Sequence, residues 1–175
     1  MMTLAETILM TQIGYENLLA RITEKEKEYD QVRDHRQVAF ELSGDGWHDN
    51  PEFNRMQQLE ANLNHTLKTL NDRLDVMKFI DIHDGMRNVQ QVEIGSIVKL
   101  RRSDLADDSE IEEIWEIRGF DETNIKLKHL AYNAPLAEKI MHLHVADIAE
   151  EVQIGSRQFD IEVVALFKAR LVAGI

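Results

Sequence analysis

The sequence predicts an α+β protein in which a long antiparallel coiled-coil hairpin precedes a small β-rich domain with one short helix. Over residues 14–42 and 53–77, apolar side chains recur at alternating spacings of four and three, which is typical of a coiled-coil seam. From Glu93 onward, the apolar pattern becomes that of short strands. We therefore expect a hairpin over residues 1–78, a linker over 79–92 and a β-rich domain over 93–175.

Each helix of the hairpin is predicted by its own seam, and the two seams are similar in length. Two such seams joined by a short turn can bury each other only as an antiparallel pair, about 40 Å long at about 1.5 Å per residue. The first seam consists of Leu18, Ile22, Tyr29, Val32 and Ala39, with polar Lys25 and Arg36 between them, and the second of Phe53, Met56, Leu59, Leu63, Leu67, Leu70, Leu74 and Met77.

The β-rich domain is predicted from short apolar runs separated by turn residues such as those at 107–109 and 121–124. A short helix is expected over 134–141, because Pro135 suits the first helical position. The predicted strands cover residues 97–101, 111–119, 125–130 and 159–167.

Composition excludes several classes of protein. The 175 residues include no cysteine, so disulfides and thiolate metal sites are excluded and a reducing cytoplasm is the expected location. A net charge of −12 argues against a general nucleic-acid binder, which needs a basic surface. The apolar runs are too short for a membrane span, and no membrane partner is expected. We expect a monomer.

The turn between the two helices carries three carboxylates, Asp45, Asp49 and Glu52. The glycines at 44 and 46 and the proline at 51 indicate a tight connection. Two interpretations are open: an ordinary solvated turn in which Asp49 or Asn50 caps the second helix, or an acidic tip presented far from the rest of the protein. Trp47 is either a contact residue for a partner or folded back on the hairpin.

Four segments, in the same order and on the same layout, resemble the bacterial Gre transcript-cleavage factors, GreA and GreB. The resemblance covers nearly the whole chain and implies that the second domain is similar in fold to FKBP-type prolyl isomerases. The segments are residues 10–18 with the Met-Thr pair followed by Gly14 and Leu18, the tip at 44–45 and 49–53, the Asn-Ala-Pro-Leu-Ala run at 133–137, and the closing strand at 159–163.

The resemblance implies a binding partner and a chemistry. Gre factors dock on RNA polymerase and insert the hairpin into its secondary channel, where tip carboxylates help to hold a second Mg²⁺ for cleavage of backtracked RNA by the polymerase. By this resemblance, Asp45 and Asp49 are the catalytic and metal-ligating residues. The protein would not be an enzyme by itself, would bind no metal stably alone, and would meet the RNA 3′ end only inside the polymerase complex. Partner contacts are expected from Trp47, Glu52 and Phe53 at the tip and from Asn133, Ala134 and Pro135 in the second domain.

The tip differs from the family pattern in ways that leave alternatives open. Three residues rather than two separate the acids, and the second acid is Asp rather than Glu. Phe53 replaces the usual Tyr, while Glu41 and Gln57 lie near positions that are often basic. One alternative is a channel-binding inhibitor of transcription without cleavage activity. Another, of a different class, is a folding helper whose FKBP-like domain binds peptides.

His142 and His144, with Asp147 nearby, could suggest a metal site. Two histidines without a thiolate or a third ligand at a standard spacing favour a purely structural interpretation.

Overall fold

The computed structural model describes residues 7–175, with every side chain in that range except that of Asp45. The described chain divides into two compact units, residues 7–8 with 15–78 and residues 9–14 with 79–175. The first six residues of the predicted hairpin domain lie outside the described range. The predicted α+β class is confirmed.

The first unit is built on two long helices, α1 (Gln12–Ser43) and α2 (Pro51–Val76), joined by a 3₁₀ segment (Gly44–Asp49). Two short strands, β1 (Ile8–Met10) and β2 (Met77–Phe79), pair beside the helix ends. Most of the predicted seam is buried, but Leu59 is 40% exposed, so its assignment to the seam is wrong. The buried seam residues are Leu18, Ile22, Val32, Ala39, Phe53, Met56, Leu63 and Leu70.

Polar groups complete the seam where an apolar residue is missing. The Nε atom of Arg36 lies 2.5 Å from Oε2 of Glu60, whose side chain is 18% exposed. The Tyr29 hydroxyl donates to the other carboxylate oxygen at 3.4 Å. Glu60 of α2 thus contacts two seam residues of α1, and the charge of Arg36 is paired across the hairpin although its Nε makes no hydrogen bond.

The second unit is a five-stranded sheet with one helix packed on it. Its strands are β3 (Ile97–Asp104), β4 (Glu110–Arg118), β5 (His129–Ala131), β6 (Ile148–Ile154) and β7 (Arg157–Phe167), and its helices are α3 (Pro135–Ile140) and the short α4 (Arg170–Ala173). The strand order is β5-β4-β3-β7-β6; only the β4–β5 pair is parallel. Val98, Leu100, Ile117, Ile161 and Val163 of the sheet form the core with Leu136, Ala137 and Ile140 of α3.

Residues 79–92, predicted as a linker, belong to the second unit. Val92 is fully buried, and its amide donates to the carbonyl of Leu143 at 2.8 Å. The side chain of Arg87 is 4% exposed and pairs with Glu116 at 3.2 Å. This segment is therefore a packed part of the unit.

The strand predicted over 125–130 is confirmed only at its end, where residues 129 and 130 lie in β5, and is wrong for residues 125–128. Residues 125–127 form a 3₁₀ turn capped by the Asn124 side chain, and Lys128 follows in the left-handed region with φ +57°. Ile125 and Leu127 are 71% and 52% exposed, so their alternation marks no buried face. β6 was not predicted, since only Val152 of its seven residues is buried. The described residues include no helix long and apolar enough to cross a membrane.

Candidate functional site at the hairpin tip

Asn50 holds the tip together from both sides. Its Oδ1 accepts hydrogen bonds from the amides of Glu52 and Phe53 at 2.9 and 3.4 Å, which caps α2. Its Nδ2 donates to the carbonyl of Ala39 at 3.2 Å and to Oγ of Ser43, which lie on the last turns of α1. The sequence left Asp49 and Asn50 both open as the cap, and the structure assigns the role to Asn50. Asp49 is therefore not used as a cap.

Trp47 folds back on the hairpin. Its ring is half-buried, with its centroid 5.0 Å from that of Phe53 in an edge-on contact and 5.8 Å from that of Phe40. The ring of His48 lies against it, 3.4 Å between centroids. Of the two interpretations left open for Trp47, the structure shows the packed one, so this residue organises the tip.

Phe53 was predicted to contact a partner, but its side chain is only 5% exposed. It lies between Phe40, at 6.1 Å between ring centroids, and Trp47. The Arg36 guanidinium is 5.9 Å from the ring centroid on another side. That prediction is corrected: Phe53 supports the tip from inside, because the Trp47 ring packs against its buried ring.

The carboxylates of the tip differ in how they are engaged. Glu52, predicted to contact a partner, accepts two hydrogen bonds from Arg55 at 3.0 and 3.1 Å, and these bonds lower the pKa of its carboxyl group. Asp49 is exposed, and among the described side chains it has no hydrogen-bonding or ionic partner. The side chain of Asp45, the first predicted ligand, lies outside the described part of the chain. Asp49 is thus the described acid of the tip that is available to a ligand.

An exposed carboxylate at the tip fits the chemistry of a hard divalent cation. Mg²⁺ takes oxygen ligands and commonly only one or two carboxylates from a given protein. Within the described residues, no group of three or more His, Cys, Asp and Glu side chains could hold a metal ion. His144 instead hydrogen-bonds Asp147, with 3.3 Å between Nδ1 and Oδ2. Any metal at the tip would need ligands from elsewhere in addition to Asp49.

The second predicted contact, at residues 133–135, is a helix start in the second unit. The Asn133 amide exchanges two hydrogen bonds with Asp121, at 2.9 and 3.0 Å, which ties the turn before α3 to the turn after β4. Ala134 is the N-cap residue of α3 and makes no side-chain cap hydrogen bond. Pro135, the first residue of α3, is the exposed member of the three. Its role in binding stays a prediction.

Two carboxylates of the second unit, Glu116 and Glu122, hold networks of contacts that were not predicted from the sequence. Glu116, 2% exposed, is paired with Arg87, Arg118 and Arg170. The carboxylate of Glu122 accepts two hydrogen bonds from Thr11, its amide and its hydroxyl, each at 2.8 Å. The only signal in the sequence was a charged residue within the apolar run Ile114-Trp115-Glu116-Ile117.

The chain is similar to the structure of GreA factor homolog 1 (Gfh1) of Thermus thermophilus, at 18% identity over 93% of this chain and 99% of that one, with a TM-score of 0.42. It is similar also to Gfh1 of Thermus aquaticus, at 19% identity over 93% and 99% of the two chains with a TM-score of 0.42. A third similar structure is the prokaryotic transcription elongation factor GreA/GreB from Nitrosomonas europaea, at 15% identity over 93% and 98% with a TM-score of 0.36. No protein-family model and no curated protein matches the chain. Likenesses at this level assign neither an activity nor a partner.

Proposed function

We propose that this protein is a Gre-type factor that binds RNA polymerase and stimulates cleavage of backtracked RNA through its acidic tip. The observation that carries the proposal is Asp49, an exposed carboxylate without a partner among the described side chains, at the turn between two long helices. The four sequence segments that resemble Gre factors support it. The polymerase provides the catalytic centre, and the protein is not an enzyme by itself.

Some residues of the tip position its backbone, and others would supply ligands to a metal ion. Asn50, Trp47 and Phe53 fix the backbone of residues 44–49, so that little conformational freedom is lost when the tip enters the polymerase. Asp49 and Asp45 would supply oxygen ligands to a Mg²⁺ ion shared with the polymerase. In two-metal hydrolysis of a phosphodiester, such ions activate the attacking water and stabilise the leaving oxygen.

The test is transcript cleavage in backtracked complexes of a bacterial RNA polymerase, with Mg²⁺ present. The wild-type protein should release short RNA from the 3′ end, and Asp45→Ala and Asp49→Ala should each abolish this release while polymerase binding is nearly unchanged. Glu41→Gln, which removes an exposed acid of α1 next to the tip, is the matched control and should keep the activity. Equal loss of cleavage and binding in the Asp variants would show that the tip is a docking element.

A channel-binding inhibitor is the second candidate, and the packing of Trp47 favours it. The three residues between the acids include a bulky ring that adds volume to the tip. In addition, Asp49 is one methylene shorter than the Glu of the family pattern. If the wild-type protein slows elongation and releases no RNA from backtracked complexes, the inhibitor is the correct assignment.

A further inference from the structure

A solvent-open groove of about 280 Å³ lies beside the tip. Its apolar wall is formed by Val38 and Leu42 of α1, whose side chains are 52% and 84% exposed. Leu42 is the most exposed of the large apolar side chains described in the two helices. The complete lining is His35, Val38, Ala39, Leu42, Asn50 and Glu52.

The four lining residues of α1 follow helical spacing. Positions 35, 38, 39 and 42 correspond to i, i+3, i+4 and i+7, so they form one stripe over two turns. Ala39, 6% exposed, lies at the border between this stripe and the seam buried against α2. The helix therefore has a second, narrower apolar face. A stripe of this length accepts the ridge of another helix, by the same interdigitation that packs helices in globular proteins.

The charge of the surrounding segment restricts what that helix can be. Residues 37–54 contain four acids, Glu41, Asp45, Asp49 and Glu52, and no Lys or Arg. Arg55, the next residue, is paired with Glu52, so the acids of this segment still outnumber its cations by three. Phosphate-rich partners such as RNA or an anionic membrane would be repelled here. Lys or Arg side chains that flank an apolar face would instead be attracted, since opposite charges across an interface favour encounter and fix register.

We propose that this groove receives an amphipathic helix of RNA polymerase with apolar side chains on one face and Lys or Arg residues beside it. The apolar side chains enter between Val38 and Leu42, and the cations lie beside Glu52, the acid on the rim of the groove. The inference rests on the proposed function, since that function names the polymerase as the partner. It adds a docking surface beside the tip that is separate from the metal-binding carboxylates.

The first test is the affinity of the full-length protein for purified bacterial RNA polymerase. Leu42→Glu should weaken binding about tenfold, because a charged side chain would enter an apolar contact beside other acids. The control is Gln57→Glu, which adds the same charge at an exposed position outside the groove and should stay within about twofold of wild type. Since Leu42 is 84% exposed, its substitution should leave the thermal unfolding of the free protein unchanged.

The second test maps the contact. A photoreactive p-benzoylphenylalanine in place of Leu42, irradiated in the complex with the polymerase, should crosslink to a helical segment that contains Lys or Arg. Failure of the wild-type protein to bind the polymerase would overturn the proposed function. Normal wild-type binding with equal binding by Leu42→Glu, or crosslinks only to RNA or to a segment without cations, would overturn the groove alone.

Discussion

The position of the Glu122 side chain explains why residues 14 and 119 are both glycine. Its carboxylate accepts hydrogen bonds from Thr11 across 111 residues of sequence, just before the first residue of α1. A Cβ atom at Gly14 would lie 2.3 Å from Oε1 of Glu122, and one at Gly119 would lie 2.1 Å from the same atom. Gly14 is part of the opening segment that resembles Gre factors, and this contact gives that glycine a physical role.

Gly119→Ala should therefore destabilise the protein by displacing the Glu122 carboxylate from Thr11. Losing the two hydrogen bonds should cost about 1–3 kcal/mol in urea unfolding. Gly46→Ala is the matched control, since a Cβ there meets no atom within 4 Å. In a Glu122→Ala background, Gly119→Ala should cost clearly less, and full additivity of the two changes would contradict the mechanism.

His129 makes the second unit sensitive to pH. Burial, then the nearby charge of Arg118, lowers the pKa of its imidazole below the ordinary value of about 6.5, although Glu116 opposes this. Its Nε2 lies 3.0 Å from Nη1 of Arg170. Because a guanidinium can only donate, Nε2 must accept, which requires the neutral ring. Protonation would place four cations, His129 with Arg87, Arg118 and Arg170, around the single carboxylate of Glu116.

Stability should consequently fall as the pH is lowered below about 6.5. A folded-state pKa below the unfolded one means that the unfolded chain binds more protons, so acid favours unfolding until the folded-state pKa is passed. His129→Gln keeps an acceptor for Arg170 but cannot titrate. Its melting temperature should drop less than that of wild type between pH 7.5 and 5.5. An NMR titration of His129 at or above its ordinary pKa would contradict this expectation.

At the scale of the element, the start of α2 depends on Asn50 more than on helix propensity. The residue satisfies two amides of the first turn of α2 and also binds the end of α1. Asn50→Ala should cost about 1–2 kcal/mol in urea unfolding, at the upper end for a helix cap, because both sets of bonds are lost. Amide hydrogen exchange over residues 44–54 should accelerate, while that of α3 stays unchanged. Equal acceleration in both would indicate global unfolding instead.

The elements that could be predicted from the sequence are those whose pattern matches their burial. The seams of α1 and α2 predicted both helices closely, because most of the residues of each seam are buried or half-buried. β6 could not be found, since Glu150 and Glu151 interrupt the alternation of a strand at the edge of the sheet. At the tip, composition predicted a turn with a cap. The packing of Trp47 on Phe40 could not be predicted from the sequence, because it depends on where the turn directs the Trp47 ring.

At the scale of the whole molecule, the proposed function separates chemistry from anchoring. The tip belongs to one compact unit and the predicted anchor at residues 133–135 to the other. A chain with a net charge of −12 gains little from contact with nucleic acid, so its affinity should come from protein contacts in both units. Substitution of a tip carboxylate and substitution of the predicted anchor should therefore affect different measurements, cleavage and affinity.

Pro135→Glu is the substitution that tests this separation. Pro135 is exposed at the first residue of α3, where Glu is also tolerated, so the fold should be retained. If this residue contacts the polymerase, affinity should fall about tenfold, and cleavage should recover at high protein concentration because the tip is intact. Asp49→Ala should show the opposite behaviour, with normal affinity and no cleavage at any concentration. Loss of maximal cleavage in Pro135→Glu at saturation would show that the second unit also positions the tip, and normal affinity would exclude Pro135 from the anchor.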